Sequence, residues 1–285
     1  EIPLRLVGSE MCIRDRSNGA QRALVISATG TGKTYLGAFD VKKFSPDKFL
    51  YIVHREQILD KTISSFKKIL SNEPAEAFGK VSGNSKDFEG KYLFATIQTL
   101  SRDNWLERFD KGEFDYILVD ETHRAGAESY KKVLNYFTPQ FMLGMTATPD
   151  RMDNFNLYEL FDYNIAYEIR LQKALDENML CPFHYIGITD YEVDGQITDD
   201  TSQLNWLVSE DRVDYVIKQT EYYSYSGEAL QGLIFCSRTE EAKRLAETLS
   251  LKRHPSKALT GETPQWEREK IIKELEQRKI EYIIT

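Results

Sequence analysis

Cysteine is scarce in this chain of 285 residues, which contains three cysteines and no CxxC pair. Cys12, Cys181 and Cys236 are widely separated, a spacing that argues against a zinc site, and their odd number does not suit a disulfide scaffold. The four histidines are scattered, and none belongs to an HExxH pattern. This content excludes the small disulfide-rich secreted proteins and is typical of a reducing compartment, so we expect a cytoplasmic protein.

Long apolar runs and an excess of positive charge are also missing. No apolar run approaches the roughly 20 residues that span a bilayer, which argues against a membrane protein. The 37 Lys and Arg residues are outnumbered by 45 Asp and Glu, giving a net charge of -8. This balance argues mildly against a simple basic DNA-binding domain but leaves local phosphate contacts possible. With 41% hydrophobic and 29% charged residues, the chain has the composition of a globular protein with room for two domains.

Short apolar segments alternate with amphipathic ones, which is typical of βα units around a parallel sheet. In the first half we predict strands at 23–27, 49–53, 92–95, 116–119 and 141–145 and helices at 33–44, 55–70 and 128–137. After residue 165 we predict helices at 171–178, 209–223, 239–249 and 264–277 and strands at 183–189, 232–236 and 282–285. Thr239 is the expected N-cap of its helix, and 190–203 is expected to be a surface excursion. The second half therefore repeats the α/β pattern of the first, incompletely.

The first 16 residues show neither a helical nor a strand periodicity, and they are too polar after Val7 for a signal peptide. They resemble translated sequencing-adapter sequence, although a frayed natural terminus is the alternative. We give residues 1–16 no functional role and place the domains at 17–165 and 166–285.

A glycine-rich turn lies directly between the first predicted strand and the first predicted helix, in LVISATGTGKT. Successive backbone N–H groups at such a turn form a site for anions, and the helix N-terminus strengthens it. Lys33 can then reach the β- and γ-phosphates of a nucleotide, and the Thr34 hydroxyl can bind Mg²⁺. The match to GxxxxGK[ST] is imperfect because Ser27 stands at the first glycine. A glycine turn with a solvated lysine is the alternative.

Two carboxylates end an apolar strand in FDYILVDETH. Strand ends of this kind line the ligand crevice of open α/β sheets. Asp120 suits the Mg²⁺ contact of a phosphate-loop ATPase, and Glu121 could deprotonate an attacking water. An acidic helix start is the alternative for these residues taken alone.

The motifs ATGTGKT, DETH and MTATPDR, in this order, resemble the DEAD/DEAH-like helicases of superfamily 2. The chain is most similar to the subgroup of type III restriction enzyme motor subunits and bacterial DNA repair helicases. IVHREQIL resembles motif Ia, ATIQTL motif Ib, and LIFCSRTEEAKRLAETL motif IV of that family, while ALTGETP resembles the segment after motif IV. The resemblance covers residues 17–285 and implies two RecA-like (P-loop NTPase) domains with parallel sheets, the second incomplete.

The resemblance also implies roles for individual residues. It assigns the triphosphate and Mg²⁺ to the phosphate loop, with Thr34 and Asp120 on the metal and Lys33, Asp120 and Glu121 in catalysis. Three further groups complete these assignments: Gly30, Thr31, Gly32, Lys33 and Thr34 for ATP; His123, Thr146 and Thr148 for coupling ATP state to domain movement; His54, Arg55, Thr96, Gln98, Ser237 and Arg238 for the nucleic-acid backbone.

Plainer alternatives stay open for several of these residues. His54 and Arg55 could simply begin a solvated helix, and Thr146 and Thr148 could be turn residues before Pro149. The chain also departs from the family pattern. Gln21 lies too close to the first strand to be a safe substitute for the adenine-reading glutamine. Motifs V and VI, the latter with the arginine finger, would follow Thr285, so we expect this fragment to bind ATP weakly and to hydrolyse it poorly.

The leading functional hypothesis is an ATP- and Mg²⁺-dependent helicase or translocase whose partner is nucleic acid, DNA more probably than RNA. A nuclease or other accessory domain outside this fragment would fit the same resemblance. The alternatives are a double-strand DNA translocase subunit of a restriction enzyme, an RNA helicase, and an ATP-switched nucleic-acid-binding module without unwinding. A small-molecule kinase is the weakest alternative because it would not explain residues 146–149.

Overall fold

The apolar segments of the first half form one parallel sheet of seven strands in the order β3-β4-β2-β5-β6-β1-β7. The structure, a computed structural model, describes residues 2–149, 156–189, 192–193, 196–197, 207–223 and 229–285. The chain divides into two units, Glu1–His184 and Tyr185–Thr285. The strands of the first unit are β1 (Arg22–Ser27), β2 (Phe49–Val53), β3 (Phe78–Val81), β4 (Tyr92–Thr96), β5 (Tyr116–Asp120), β6 (Phe141–Thr146) and β7 (Ile165–Ile169). The α/β class with a parallel sheet is thus confirmed.

Helices cover both faces of this sheet. They are α1 (Ile2–Ser17), α2 (Lys33–Phe44), α3 (Glu56–Ile69), α4 (Ile97–Leu100), α5 (Asp103–Leu106), α6 (Glu128–Tyr136), α7 (Leu157–Leu160) and α8 (Leu171–Asp176), with 3₁₀ turns at Ala75–Ala77 and Thr122–Arg124. Alternate residues of one strand enter opposite cores: Leu24 and Ile26 pack into one, and Ala23 and Val25 into the other. Burial on both faces explains why the central strands are continuously apolar.

The N-terminal segment is a helix, so our interpretation of residues 1–16 as lacking regular structure was wrong. Cys12 of α1 is fully buried, and the Arg16 guanidinium donates to both carboxylate oxygens of Asp40 at 2.7 and 2.9 Å. Asp40 lies on α2, is itself fully buried, and also accepts a hydrogen bond from the Tyr116 hydroxyl. Burial lowers the pKa of Arg16, but the hydrogen bonds and charge of Asp40 raise it above its ordinary value. Packing against α2 therefore supports a helix that sequence periodicity did not reveal.

The second unit contains a smaller parallel sheet. Its strands β10 (Gly232–Ile234), β11 (Ser256–Ala258) and β12 (Tyr282–Ile284) lie in the order β10-β12-β11. Its helices are α9 (Glu210–Tyr223), α10 (Thr239–Leu251) and α11 (Gln265–Glu276), and β8 (Glu192–Val193) pairs with β9 (Gln196–Ile197) as a short antiparallel ribbon. Of the predicted excursion at 190–203, only the ribbon lies within the described residues. Among the helices that the structure describes, none has the length and apolarity to cross a membrane.

Two sequence predictions in this half were wrong. Residues 183–189 form no strand: none of the strands that the structure describes pairs with them, and Tyr185 is 89% exposed. Thr239 is the first residue of α10 rather than its N-cap. Glu241 instead accepts hydrogen bonds from the backbone N–H and hydroxyl of Ser237, both at 3.0 Å. The seventh strand, β7, which we did not predict, belongs to the first unit.

The three cysteines are expected to differ in reactivity. Burial, followed by the charge and hydrogen bonding of Glu241, raises the pKa of Cys236 to about 11. Because the thiolate is the nucleophile, only about one Cys236 in a thousand is reactive at pH 8. Cys12 is buried and Cys181 is exposed. We expect iodoacetamide at pH 8 to label Cys181 selectively, as read by peptide mass spectrometry.

Labelling of Cys236 should rise about tenfold per pH unit until the pH approaches 11. Denatured protein, in which all three thiols are accessible, provides the control. Native Cys236 reacting as fast as Cys181 at pH 8 would contradict the environment described for it.

Candidate functional site

Three adjacent strands bring the predicted phosphate and metal residues together. In the sheet order, β6 lies between β1 and β5, with Ile26 opposite Thr146 and Met145 opposite Asp120. Because parallel strands end at the same edge, the loop after β1 and the acidic residues that end β5 face one crevice. The elements that carry the motifs therefore converge at the carboxyl edge of the sheet.

The loop after β1 depends on two glycines. Gly30 and Gly32 have φ angles of 87° and 89°, a region that side chains with a Cβ rarely occupy. This backbone leads directly into Lys33, the first residue of α2. The loop thus presents backbone N–H groups at a helix N-terminus, which is the arrangement that binds phosphate.

Ser27 has a structural role at the position where the loop pattern would have glycine. Its hydroxyl lies 2.6 Å from the Thr31 hydroxyl, which donates to the Ala28 carbonyl, also at 2.6 Å. Thr31 is 3% exposed, so its side chain stabilises the loop through buried hydrogen bonds. Of the ATP residues implied by the resemblance, Thr31 would therefore contribute its backbone rather than its hydroxyl.

Lys33 lies across this loop. Its Nζ donates to the carbonyl oxygens of Ser27 at 2.9 Å and Ala28 at 3.3 Å. Burial lowers the pKa of Lys33, while the negative charges of Asp120 and Glu121 raise it in part. The Lys33 ammonium is thus held close to the acidic residues, where a bound triphosphate would receive its charge.

Asp120 is oriented by two donors. The Tyr51 hydroxyl donates to its Oδ2 at 2.5 Å, and the Glu121 N–H donates to its Oδ1 at 2.9 Å. Asp120 is 6% exposed, and burial raises its pKa, opposed chiefly by the Tyr51 hydrogen bond. Sequence reasoning missed Tyr51, because only the pairing of β2 with β5 brings it beside the carboxylate.

Glu121, His123 and Thr146 form a connected chain. The His123 Nδ1 lies 3.1 Å from the Glu121 carboxylate and 3.3 Å from the Thr146 hydroxyl. The Thr146 hydroxyl also accepts the Thr148 N–H at 3.2 Å. Glu121 has φ 53° and ψ 46°, which turns the chain sharply out of β5. The three residues predicted to couple ATP state to movement are therefore linked in series to Glu121, through His123, then Thr146, then Thr148.

The residues predicted to contact nucleic acid in the first unit also lie at this edge. His54 follows β2 and shares a hydrogen bond of 2.7 Å with the side-chain amide of exposed Gln98. Arg55 is exposed at the N-cap of α3. Thr96 differs, since it is 4% exposed and its hydroxyl bonds to Thr99 at 3.0 Å. His54, Arg55 and Gln98 are thus accessible, whereas Thr96 holds the start of α4.

Ser237 and Arg238 belong to the second unit and are exposed between β10 and α10. The Ser237 hydroxyl is bound to Glu241. No described group of three or more His, Cys, Asp or Glu residues could hold a metal by itself.

Comparison with known proteins assigns the family. The model of the family described as "Type III restriction enzyme, res subunit" matches residues 8–151, which is half of the chain. The chain belongs to this family. The matched range includes the phosphate loop, the acidic residues that end β5, and Thr146 and Thr148.

Relatives of this family member are longer than the chain. A type I restriction enzyme EcoAI endonuclease subunit from Escherichia coli is 26% identical over 269 residues, which are 82% of this chain and 32% of that protein. IRC3 of Saccharomyces cerevisiae, whose name describes it as an ATP-dependent helicase, is 23% identical over 97% of this chain and 42% of its own length. The chain therefore spans less than half of each.

A solved structure shares the fold across both units. The ATP-dependent Type ISP restriction-modification enzyme LlaBIII bound to DNA superposes with a TM-score of 0.70 at 17% identity, covering 98% of this chain and 24% of that enzyme. At this identity the likeness establishes the fold alone. The RecA-like class, with a small second sheet, is thus confirmed for this member of the family.

Proposed function

We propose that this chain is the motor of an ATP-driven helicase or translocase that acts on nucleic acid in the cytoplasm, with DNA as its track. One arrangement carries the proposal: the phosphate loop after β1 and the acidic pair at the end of β5 face one crevice, and the Glu121–His123–Thr146 chain links the end of β5 to the end of β6, which lies between β5 and β1. A nucleotide binder that only held ATP would not need this link. The three free cysteines suit a reducing compartment.

In the proposed reaction the loop N–H groups and Lys33 bind the triphosphate. Mg²⁺, held by Thr34 and Asp120, would neutralise charge that develops on the phosphates. Glu121 orients a water in line with the γ-phosphate and accepts its proton as the new P–O bond forms and ADP leaves. His123 contacts both Glu121 and Thr146. Loss of the γ-phosphate beside Glu121 would therefore change the hydrogen bonds of His123 and move the residues that follow β6.

Although a viral relative is named an RNA helicase, the restriction-enzyme family match supports DNA as the track, as do a restriction endonuclease subunit and a DNA-bound restriction-modification enzyme among the similar proteins. The same relatives favour, as a second form of the proposal, a motor that moves along double-stranded DNA without unwinding it. A nuclease or other accessory domain would then lie outside the 285 residues.

The deciding experiment is ATP hydrolysis by the full-length protein with single- and double-stranded DNA and RNA. We expect DNA of one form to stimulate turnover, with RNA of the same sequence less effective. Stimulation by duplex DNA without strand separation in a gel assay would identify the translocase form. Turnover indifferent to every nucleic acid would contradict the motor proposal and leave an ATP-dependent switch.

A further inference from the structure

Arg124 lies in the 3₁₀ turn that follows Glu121, the proposed general base, at the end of β5. The turn spans Thr122–Arg124, directly after Glu121. Because β2 pairs with β5, with Ile52 opposite Val119, the residues that follow these two strands emerge side by side. The residues after β2 are His54 and Arg55. We call His54, Arg55 and Arg124 the arginine patch.

The two arginines of this patch have no anionic partner. Both are exposed, and neither makes a side-chain hydrogen bond or ion pair with any residue that the structure describes. Elsewhere in this acidic chain the guanidinium of Arg16 pairs with Asp40, and Lys80 lies within 4 Å of Glu56 and Asp60. Adjacent unpaired guanidinium groups repel one another electrostatically. Binding of an anion between them would remove this repulsion.

His54 provides a third donor to the same patch. Burial, and then the positive charges of Arg124, Arg55 and His123, lowers the pKa of His54. A neutral ring whose Nδ1 accepts from the Gln98 amide carries its proton on Nε2. The patch then offers donors from His54, Arg55 and Arg124, a set complementary to the oxygens of phosphate groups.

Arg124 is also attached to the catalytic residue through the backbone. Its N–H donates to the Glu121 carbonyl at 3.0 Å. Glu121 has the left-handed φ of 53°, a conformation that a non-glycine residue keeps only when its surroundings hold it. Binding of an anion by the Arg124 side chain would therefore shift the backbone that orients the Glu121 carboxylate.

We propose that Arg124 binds a backbone phosphate of the nucleic acid and, through this contact, positions Glu121, so that strand binding stimulates hydrolysis. This inference rests on the proposed function, since it names the residue through which that function is regulated. Arg124 is a binding residue for the strand and a positioning residue for Glu121. The phosphate, rather than a base, is the ligand because the two guanidinium groups are positively charged and a phosphate is an anion, whereas the bases are neutral.

The first test is the salt dependence of binding of a fluorescent DNA strand to the full-length protein, measured by anisotropy. For Arg124→Ala we expect about tenfold weaker binding at low salt, because one charge-assisted contact is lost. The slope of log K against log salt should fall by about 0.7, the contribution of one single-strand phosphate. Lys43→Ala is the control, because it removes an exposed charge from the last turn of α2, at the opposite edge of the sheet.

The second test separates positioning from binding. At saturating DNA, Arg124→Ala should show a lower maximal stimulated rate, and Arg124→Lys should recover the salt slope but only part of that rate, because lysine lacks the bidentate fork. The melting temperature should match that of wild type, since Arg124 is exposed and unpaired.

The failure of this inference is distinguishable from failure of the proposed function. Wild-type protein that neither binds nor responds to any nucleic acid would overturn both. Wild-type protein that is stimulated by DNA, with Arg124→Ala giving the same salt slope and maximal rate as Lys43→Ala, would overturn the role of Arg124 alone.

Discussion

Replacing Glu121 with glutamine is expected to reduce the rate of ATP hydrolysis by about 10²- to 10⁴-fold, the usual contribution of a general base. Glutamine keeps the size and hydrogen-bonding reach of glutamate but cannot accept the proton of the attacking water. Binding of ATP should be nearly unchanged, because the phosphate loop and Lys33 lie on β1 and α2 rather than on the Glu121 turn. Single-turnover hydrolysis together with titration of a fluorescent ATP analogue would measure both quantities.

Glu128→Gln is the matched control for this prediction. Glu128 lies in the first turn of α6, where its side chain is 92% exposed and pairs with Lys131. The same change of charge and size at Glu128 should leave turnover at the wild-type level. Equal rates for the two variants would show that another group activates the water.

Replacing Arg16 with methionine is expected to lower the free energy of unfolding of the first unit by about 3–5 kcal/mol, the usual cost of leaving one member of a buried ion pair unpaired. The Asp40 carboxylate is fully buried and would retain only the Tyr116 hydroxyl as a partner. Urea unfolding followed through Trp105, in a background with W206F and W266F, would measure the change in this unit.

Two companion variants test the cause of the loss. Arg14→Met changes an exposed arginine of the same helix that makes no side-chain contact with a described residue, so it should cost little. The double variant Arg16→Met with Asp40→Leu removes both charges and should recover most of the stability, because an apolar pair often replaces a buried ion pair without loss. An Arg16→Met protein as stable as the Arg14→Met protein would show that Asp40 needs no cationic partner.

The parts of the fold that could be predicted from sequence are those with strong local patterns. The strands β1, β2 and β5 have continuously apolar centres, a glycine-rich turn follows β1, and acids end β5. These marks also located the candidate site, because strand ends of a parallel sheet meet at one edge. β7 escaped prediction because its sequence IAYEI includes a charged residue and pairs only at the edge of the sheet.

Other features depend on tertiary contacts that no local pattern contains. The helix α1 has no apolar stripe, yet it packs on α2 through Cys12 and the Arg16 ion pair. Residues 183–189 are apolar enough for a strand, but no strand in the described part of the chain pairs with them. Tyr51 contacts Asp120 only because β2 and β5 are adjacent, which spacing along the chain cannot reveal.

The strand β6 lies between β1 and β5 and so separates the phosphate loop from the acidic residues that end β5. Neighbouring strands lie about 4.8 Å apart, so the ends of β1 and β5, two spacings apart, leave a gap of about 10 Å. Gly144 in the middle of β6 has no room for a side chain, since a Cβ there would come within 2.3 Å of the Phe161 ring. Because Gly144 packs against Phe161, β6 is held at a fixed position, and the distance between the ends of β1 and β5 is fixed with it.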